Sequence, residues 1–202
     1  MIEALERVAR RLVSRETSEK LEAFVLLLRE ESGRQNLVSA STLDHIWGRH
    51  ILDSAQLVRF EPHSGASWLD IGSGAGLPGI VIACLVEGPV TLVEPRRLRA
   101  DFLHRTAESL HLRVKVHCAK VERVEGTFDI ITARAVANLT RLLEISAHLS
   151  TRKTVWALPK GRNALAELSA ARRAWQGEFR VERSVTDAES YIVVGTGVRT
   201  RQ

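Results

Sequence analysis

The sequence predicts an α/β fold built on a mostly parallel, doubly wound sheet of seven strands. From Ser67 onward, short apolar runs typical of strands alternate with segments of helical periodicity, which is the pattern of parallel βαβ units. The first apolar run leads directly into a glycine-rich segment, as happens where a strand delivers the chain to a ligand crevice. The last two runs are separated only by Thr186–Ser190. Because no crossover helix fits there, they should pair as an antiparallel hairpin.

The N-terminal region has no strand pattern and is predicted to be helical. Residues 2–32 form two helices at apolar spacings of three and four, the second opening at Thr17–Glu19 and ending at Gly33. A short irregular stretch, Asn36–Ser39, follows, and Ser41–Asp44 then caps a further helix. These helices are too short to form a separate domain, so we expect them to cap the sheet.

The rest of the chain supplies the sheet and its covering helices. Strands are predicted at residues 67–71, 90–94, 113–118, 128–133, 153–158, 179–185 and 190–196. Helices are predicted between most of them, at residues 78–86, 97–111, 138–149 and 161–175. We therefore expect one domain, with a helical cap at residues 1–60 and a core at residues 61–202.

Composition narrows the class of protein. At 202 residues with 45% hydrophobic content, the chain can bury a proper core, and no apolar run approaches the ~18 residues that a membrane span needs. The N-terminus is charged and lacks the apolar centre of a signal peptide. Only Cys84 and Cys118 are present, which suggests neither a disulfide framework nor a metal cluster. We expect a cytoplasmic protein without a membrane partner.

The net charge favours a polyanionic partner. It is +5 at pH 7, and of the 29 basic residues 24 are arginine and 5 are lysine. Arginine suits the recognition of phosphate, although genomic base composition alone also produces such a bias.

Three glycines at alternate positions, Gly72, Gly74 and Gly76, follow an apolar run that ends in Asp70. A loop with almost no side chains lets backbone N–H groups approach a ligand closely. The loop also contains the Gly-x-Gly-x-x-Gly spacing of dinucleotide sites, and an acid, Glu94, stands 20 residues after Gly74. On this segment alone, NAD is one candidate ligand.

Asp70 favours a different ligand, S-adenosylmethionine (SAM). A carboxylate beside the loop would repel a pyrophosphate, whereas SAM carries a sulfonium and an ammonium group that a carboxylate can hold directly or through water. The closing hairpin agrees, since NAD-binding sheets generally end without one. Glu94 follows a strand, where a carboxylate reaches the ribose hydroxyls; the alternative is a surface glutamate that starts a turn.

The loop after the third predicted strand usually frames the adenine of SAM, mainly through its backbone. Together with the glycine loop, the two acids and an arginine described next, it completes the predicted cofactor site. That site comprises Asp70, Gly72, Ser73, Gly74, Gly76, Leu77, Glu94, Ala119, Lys120, Val121, Glu122 and Arg134.

Further polar residues should converge on the same crevice. Arg134 and Lys160 each follow a predicted strand, and residues just past the carboxyl ends of strands line the crevice of a doubly wound sheet. His50 and Asp53, three positions apart on one helical face, and Asn36 before them could grip the edge of a base. The alternative for His50 and Asp53 is an ordinary pair on a helix surface.

Several segments together resemble the bacterial small-subunit ribosomal RNA methyltransferase family RsmG, also called GidB. The resemblance runs from about residue 20 to the end of the chain. It departs from the usual pattern at Gln35, where the family commonly has an aromatic residue. The segments that carry it are Asn36–Ser39, Arg49–Ser54, Asp70–Gly79, Glu94–Arg97, Ala133–Ala135 and Leu158–Gly161.

The resemblance implies SAM-dependent methylation of N7 of one guanine in the 530-type loop of 16S ribosomal RNA. It implies SAM as methyl donor, S-adenosylhomocysteine as product and no metal. The implied partner is 16S RNA or the small subunit, with no DNA, and we expect a monomer. Guanine N7 has a free lone pair and no proton to lose, so no general base is needed. Arg134 and Lys160 would bind the nucleotide's phosphate or O6, and Asn36, His50 and Asp53 would shape the pocket.

Other functions stay open at this point. The chain could be a SAM methyltransferase for another RNA, a small molecule or a protein, or a SAM-binding RNA chaperone or assembly factor without turnover. An NAD-dependent reductase is a further alternative.

Overall fold

A computed structural model describes residues 1–201, with the side chains of Ala40 and Ser41 left out. Seven strands form one sheet: β1 (Trp68–Ile71), β2 (Val90–Val93), β3 (Val114–His117), β4 (Ile130–Ala133), β5 (Val155–Lys160), β6 (Trp175–Arg183) and β7 (Tyr191–Thr200). The α-helices are α1 (Ile2–Ala9), α2 (Arg15–Gln35), α3 (Ala40–Leu43), α4 (Asp53–Ala55), α5 (Gly79–Leu85), α6 (Arg97–Ser109), α7 (Leu139–Ser146) and α8 (Ala164–Ala171). A π-helical segment covers Trp47–Leu52, and 3₁₀ turns cover Gln56–Phe60, Val121–Arg123 and Ala147–Leu149.

The strand order is β3-β2-β1-β4-β5-β7-β6, and only β7 runs against its neighbours. This arrangement confirms the predicted fold class and its closing hairpin. The chain reverses its winding direction between β1 and β4, whose carboxyl ends lie side by side, with Ile71 opposite Ala133. In doubly wound sheets the ligand crevice opens at that point.

Two apolar cores cover the two faces of the sheet. Because side chains alternate along a strand, Trp68 enters one core and its neighbour Leu69 enters the other. The first core also contains Leu5, Phe24 and Ile51, so the N-terminal helices pack on that face together with α5 and α6. The second core is closed by α7 and α8. No helix within residues 1–201 is long and apolar enough to cross a membrane.

Helix boundaries in the N-terminal region differ from the predicted ones. Helix α2 begins two residues before Thr17, because Ser14 caps it by accepting a hydrogen bond from the Thr17 N–H. Gly33 does not end the helix, which continues to Gln35; Asn36, with φ of 48°, takes the left-handed position that ends it. The predicted cap at Ser41 lies outside the described side chains, and Ser39 is the N-cap of α3.

The end of α8, the start of β6 and the end of β5 also differ from the predicted boundaries. Helix α8 stops at Ala171, and Trp175, predicted as helical, begins β6 because it pairs with Thr200 of a β7 that is longer than expected. Lys160, predicted to follow its strand, is the last residue of β5 since it pairs with Tyr191. In both places a cross-strand partner, which the local pattern does not reveal, extends the strand.

Candidate functional site

The glycine loop leaves β1 in a conformation that depends on its glycines. Gly72, Gly74 and Gly76 have φ angles of 68°, 53° and 85°, in the region that L side chains rarely adopt. The N–H groups of Gly72 and Ser73 donate to the Val93 carbonyl at 2.8 and 3.1 Å, which fixes the loop to the end of β2. The loop is therefore a rigid turn at the mouth of the crevice.

Asp70 lies beneath this loop and is almost completely buried, with 1% of its surface exposed. Its Oδ2 accepts from the Gly79 N–H at 3.1 Å, whereas Oδ1 has no hydrogen-bond partner among the described residues. Burial raises the pKa of Asp70 to about 7, against the opposing effects of Ser73, Arg134 and Gly79. The free oxygen is suited to a cationic ligand, whose arrival would favour the ionised form.

Glu94 joins the glycine loop to helix α6. It is 4% exposed; its Oε2 accepts from the Gly74 N–H at 2.9 Å, and its Oε1 accepts from the Arg96 N–H at 2.9 Å. The structure thus places Glu94 as a brace of the loop and not as a surface glutamate. A carboxylate oxygen has two lone pairs, so each keeps capacity for a ribose hydroxyl.

The loop after β3 contains both buried and exposed side chains, as expected of a loop that would contact a ligand mainly through its backbone. Lys120 is the N-cap of the 3₁₀ turn, Val121 is buried in the second core, and Glu122 is exposed near Arg141. Ala119 is partly buried.

These features fit SAM. An unpartnered carboxylate oxygen stands below a loop whose backbone approaches the ligand, and a second carboxylate holds the neighbouring turn. Asp70, the glycine loop and Glu94 would hold the methionine and ribose parts, and the loop Ala119–Glu122 would face the adenine. Within residues 1–201, no group of three or more acidic, histidine or cysteine side chains is arranged for a metal ion.

Arg134 follows β4 and contacts two residues of the helical region. Its Nη1 lies 2.8 Å from His50 Nδ1 and 3.7 Å from Asp53 Oδ2. Because a guanidinium only donates, His50 Nδ1 is the acceptor and the ring proton is on Nε2. Burial and the positive charge of Arg134 lower the pKa of His50 to about 4, so the imidazole is neutral at pH 7.

The π-helical segment presents His50 to Arg134. A π-helical turn contains one residue more than an α-helical turn, which rotates the side chains that follow it around the helix axis. Such segments are frequent at functional sites. His50 lies inside the segment and Asp53 directly after it, and both meet Arg134. The structure therefore joins them through the arginine, in place of the isolated surface pair that was the alternative.

A hydrogen-bond network behind Asp53 was not predicted from the sequence. Asp53 Oδ1 accepts from Gln56 Nε2 and from Thr186 Oγ1, both at 2.8 Å. Gln56, which is buried, also donates to Ser184 Oγ at 2.9 Å and accepts from the Val185 N–H at 3.0 Å. The network ties the turn between β6 and β7 to the helical region. The signal available in the sequence was one amide within the apolar run of residues 55–58.

Lys160 has protein partners. Its Nζ donates to the Ala137 carbonyl at 2.8 Å and pairs with Glu167 Oε2 at 2.9 Å, leaving 9% of the side chain exposed. Glu167 also accepts from the Leu139 N–H at 2.8 Å. Lys160 therefore fixes the loop between β4 and α7, in which Arg134 lies.

Two cavities open beside Asp53. One of about 290 Å³ is lined by Arg134, Asp53, Gln56, Lys160, Ser190 and Tyr191. Another of about 1040 Å³ shares Asp53 and Ser190 with it and continues along Arg29, His45 and Arg49.

Asn36 is not brought to this site in the part of the chain that the structure describes. It lines neither cavity, and it makes no hydrogen bond to His50, Asp53 or Arg134. The neighbouring Gln35 holds α2 to α6, since its Nε2 donates to the Leu98 carbonyl at 3.0 Å.

Comparison with known protein families assigns the chain. The family model GidB, described as rRNA small subunit methyltransferase G, matches residues 17–191. The chain belongs to the GidB family. Among its relatives, Ribosomal RNA small subunit methyltransferase G of Zymomonas mobilis is 48% identical over 199 residues, covering 94% of this chain and 90% of that protein. The protein of the same name from Sphingopyxis alaskensis is 51% identical over 181 residues, covering 88% and 78%.

Solved structures share the fold of this GidB protein. A SAM-dependent methyltransferase from Aquifex aeolicus superposes with a TM-score of 0.63, covering 82% of this chain and 97% of that one at 14% identity. TYW2 of M. jannaschii, solved in complex with AdoMet, gives a TM-score of 0.56, covering 75% and 76% at 14% identity. At such identities the likeness concerns the architecture, which is that of SAM methyltransferases.

Proposed function

We propose that this rRNA methyltransferase of the GidB family transfers a methyl group from SAM to N7 of a guanine in the 530-type loop of 16S ribosomal RNA. We propose further that it acts as a monomer in the cytoplasm, on 16S RNA or on the small subunit. The observation that carries the proposal is the position of Arg134. It follows Ala133, which pairs with Ile71 at the start of the glycine loop, and its guanidinium contacts His50 and Asp53.

For methyl transfer to N7, the protein has to position the base against the methyl group and to supply favourable electrostatics, and little else. When bound, SAM supplies an electrophilic methyl group on a sulfonium. Guanine N7 presents a lone pair and loses no proton, so no residue has to act as a general base. His50 is accordingly not available as a general base, because its Nδ1 accepts a hydrogen bond from Arg134; its ring is neutral. Arg134 has the remaining N–H groups to fix an electronegative atom of the nucleotide.

The other residues of the site support this geometry. Lys160 and Glu167 hold the loop that carries Arg134, so we assign Lys160 to positioning rather than to direct phosphate binding. The larger cavity along Arg29, His45 and Arg49 offers room for the nucleotides next to the target. A base within folded RNA must be unpaired or extruded to reach the smaller cavity.

Methyl transfer to three forms of the substrate tests the proposal. Labelled SAM is offered with bare 16S RNA, partly assembled particles and mature small subunits from a strain that lacks the enzyme. We expect label in at least one form, and cleavage at a single guanine after borohydride and aniline treatment. Label at another base atom would overturn the N7 assignment, and SAM binding without transfer to any form would overturn the proposed activity.

A further inference from the structure

The smaller cavity presents a hydrogen-bond donor and an acceptor side by side. Arg134 supplies N–H donors and Asp53 Oδ2 is an acceptor, and the nearest of their atoms are 3.7 Å apart. Both side chains keep about a fifth of their surface exposed, 22% for Arg134 and 20% for Asp53. The separation exceeds that of a tight ion pair, so each group has capacity for a third partner between them.

The acceptor is held in place from behind. Asp53 Oδ1 is taken by Gln56 and Thr186, and within the described residues Oδ2 has only the Arg134 contact. On the other side, His50 accepts one N–H of Arg134 and so limits the rotation of the guanidinium. The pair is therefore preorganised, which reduces the entropy lost when a ligand binds.

The order of groups across the site matches one base. Arg134 follows Ala133, the strand partner of Ile71 at the start of the glycine loop, and its guanidinium contacts Asp53 on the cavity side. Around the edge of guanine come N7, the acceptor O6, the donor N1–H and the donor N2 amine. Resting on the proposed function, we infer that Arg134 donates to O6 and Asp53 Oδ2 accepts from N1–H and the N2 amine, which directs N7 toward the cofactor.

The same pair disfavours adenine. Adenine has an N6 amine where guanine has O6, so two donors would meet at Arg134. Its N1 is an acceptor and would face the Asp53 carboxylate. A site whose buried polar groups are left unpaired by the wrong ligand discriminates strongly against it. Asp53 is thus a specificity residue, and Arg134 serves both recognition and alignment.

Inosine at the target position gives a direct test, because it keeps O6 and N1–H but lacks the N2 amine. The 16S RNA is ligated from pieces carrying guanosine or inosine at the target and presented in whichever form is methylated. For the unmodified enzyme we expect kcat/KM to be about 10- to 100-fold higher with guanosine. In Asp53→Asn and Asp53→Ala that ratio should fall to near 1. The control Asp101→Asn, which changes a half-buried acid on α6 that pairs with Arg97, should keep the full ratio.

A binding measurement separates this inference from the proposed function. GMP and IMP are titrated by saturation-transfer NMR with S-adenosylhomocysteine present, and the enzyme should prefer GMP while Asp53→Asn should not. An unchanged guanosine-to-inosine ratio in both Asp53 variants overturns the inference, as does an unmodified enzyme that does not distinguish GMP from IMP. If no RNA form is methylated, the proposed function fails, and the nucleotide titration still decides the role of Asp53.

Discussion

Arg134 Nη1 lies 2.8 Å from His50 Nδ1, although 84 residues separate the two in the sequence. Arg134 directly follows β4 at the centre of the sheet, and His50 belongs to the helical region. Their contact makes the cap a wall of the crevice, and it places a neutral imidazole where a protonated one would repel the guanidinium.

Replacing Arg134 by Ala should reduce methyl transfer far more than SAM affinity. Arg134 lines the smaller cavity and contacts His50 and Asp53, whereas we propose that Asp70 and the glycine loop form the cofactor side. We expect a loss of about 10²-fold or more in transfer, typical of a removed electrostatic contact, and a change of less than about 10-fold in the dissociation constant of SAM. Calorimetry and transfer assays measure the two. Arg199→Ala, an exposed change on β7, serves as control, and equal losses in both quantities would contradict the assignment.

SAM binding should release a proton near neutral pH. Burial raises the pKa of Asp70 to about 7 in the ligand-free protein, and a bound cation favours the carboxylate and lowers this pKa. Affinity should therefore rise with pH up to about 7 and level off above it. Calorimetry in buffers of different ionisation enthalpy measures the released proton. Asp70→Asn should bind more weakly and without this release, and a release that persists in the variant would exclude Asp70 as its source.

His50 should make the folded protein sensitive to mild acid. Its pKa falls from 6.5 to about 4 on folding, so below pH 6.5 the unfolded chain binds a proton that the folded chain does not. The stability difference between the unmodified protein and His50→Gln should be constant above pH 6.5 and should shift against the unmodified protein as pH falls toward 4. Urea unfolding at intervals across this range measures it. A difference that stays constant with pH would contradict the buried, neutral state of His50.

Gln56→Leu should loosen the turn between β6 and β7. The change removes the donors to Asp53 and Ser184 and leaves the Val185 N–H without its acceptor. We expect a loss of about 1–3 kcal/mol in the free energy of unfolding, as for a buried polar group left unpaired. Proteolysis at residues 184–190 should become faster. Gln176→Leu, whose amide makes one 3.3 Å contact to the Thr200 carbonyl, is the control and should change both little.

Gly72→Ala should weaken SAM binding through a specific collision. A Cβ at Gly72 would lie 2.5 Å from Val136 Cγ2, and the φ of 68° adds strain of about 1–2 kcal/mol. Val136→Ala should restore part of the lost affinity in the double variant. Gly126 also has a positive φ, of 104°, but has nothing within 4 Å of an added Cβ, so Gly126→Ala should affect stability alone. The absence of rescue by Val136→Ala would show that strain, and not the collision, dominates.

The architecture was predictable because it follows from local patterns. Alternating apolar runs and helical segments, a glycine loop and a five-residue connection before the last strand limited the topology to a largely parallel sheet with one hairpin. Among the boundaries that were wrong, those at Gly33, Lys160 and Trp175 are decided by neighbours, whereas the start of α2 is set by the Ser14 cap. An isolated glycine can stay helical within a packed helix, and a strand extends wherever a partner strand continues.

The sequence named candidate site residues from their position after strands and from the resemblance to a family, but it did not reveal their contacts. Lys160 looked like a free cation over the crevice, and only the fold supplied Glu167 and the Ala137 carbonyl as its partners. Gln56 lies in an apolar run, and nothing in the sequence indicates its role. It makes hydrogen bonds to Ser184 and Val185 because the β6–β7 turn packs onto it.

The sequence by itself therefore determined the fold class, the glycine loop and the family, since each depends on spacing between residues that are close along the chain. The tertiary structure decided which charged and polar side chains contact one another. Arg134 contacts His50 and Asp53, and Thr186 contacts Asp53, so three segments that are distant in the sequence meet there. Hydrogen bonds between such segments depend on packing directions that no local pattern encodes.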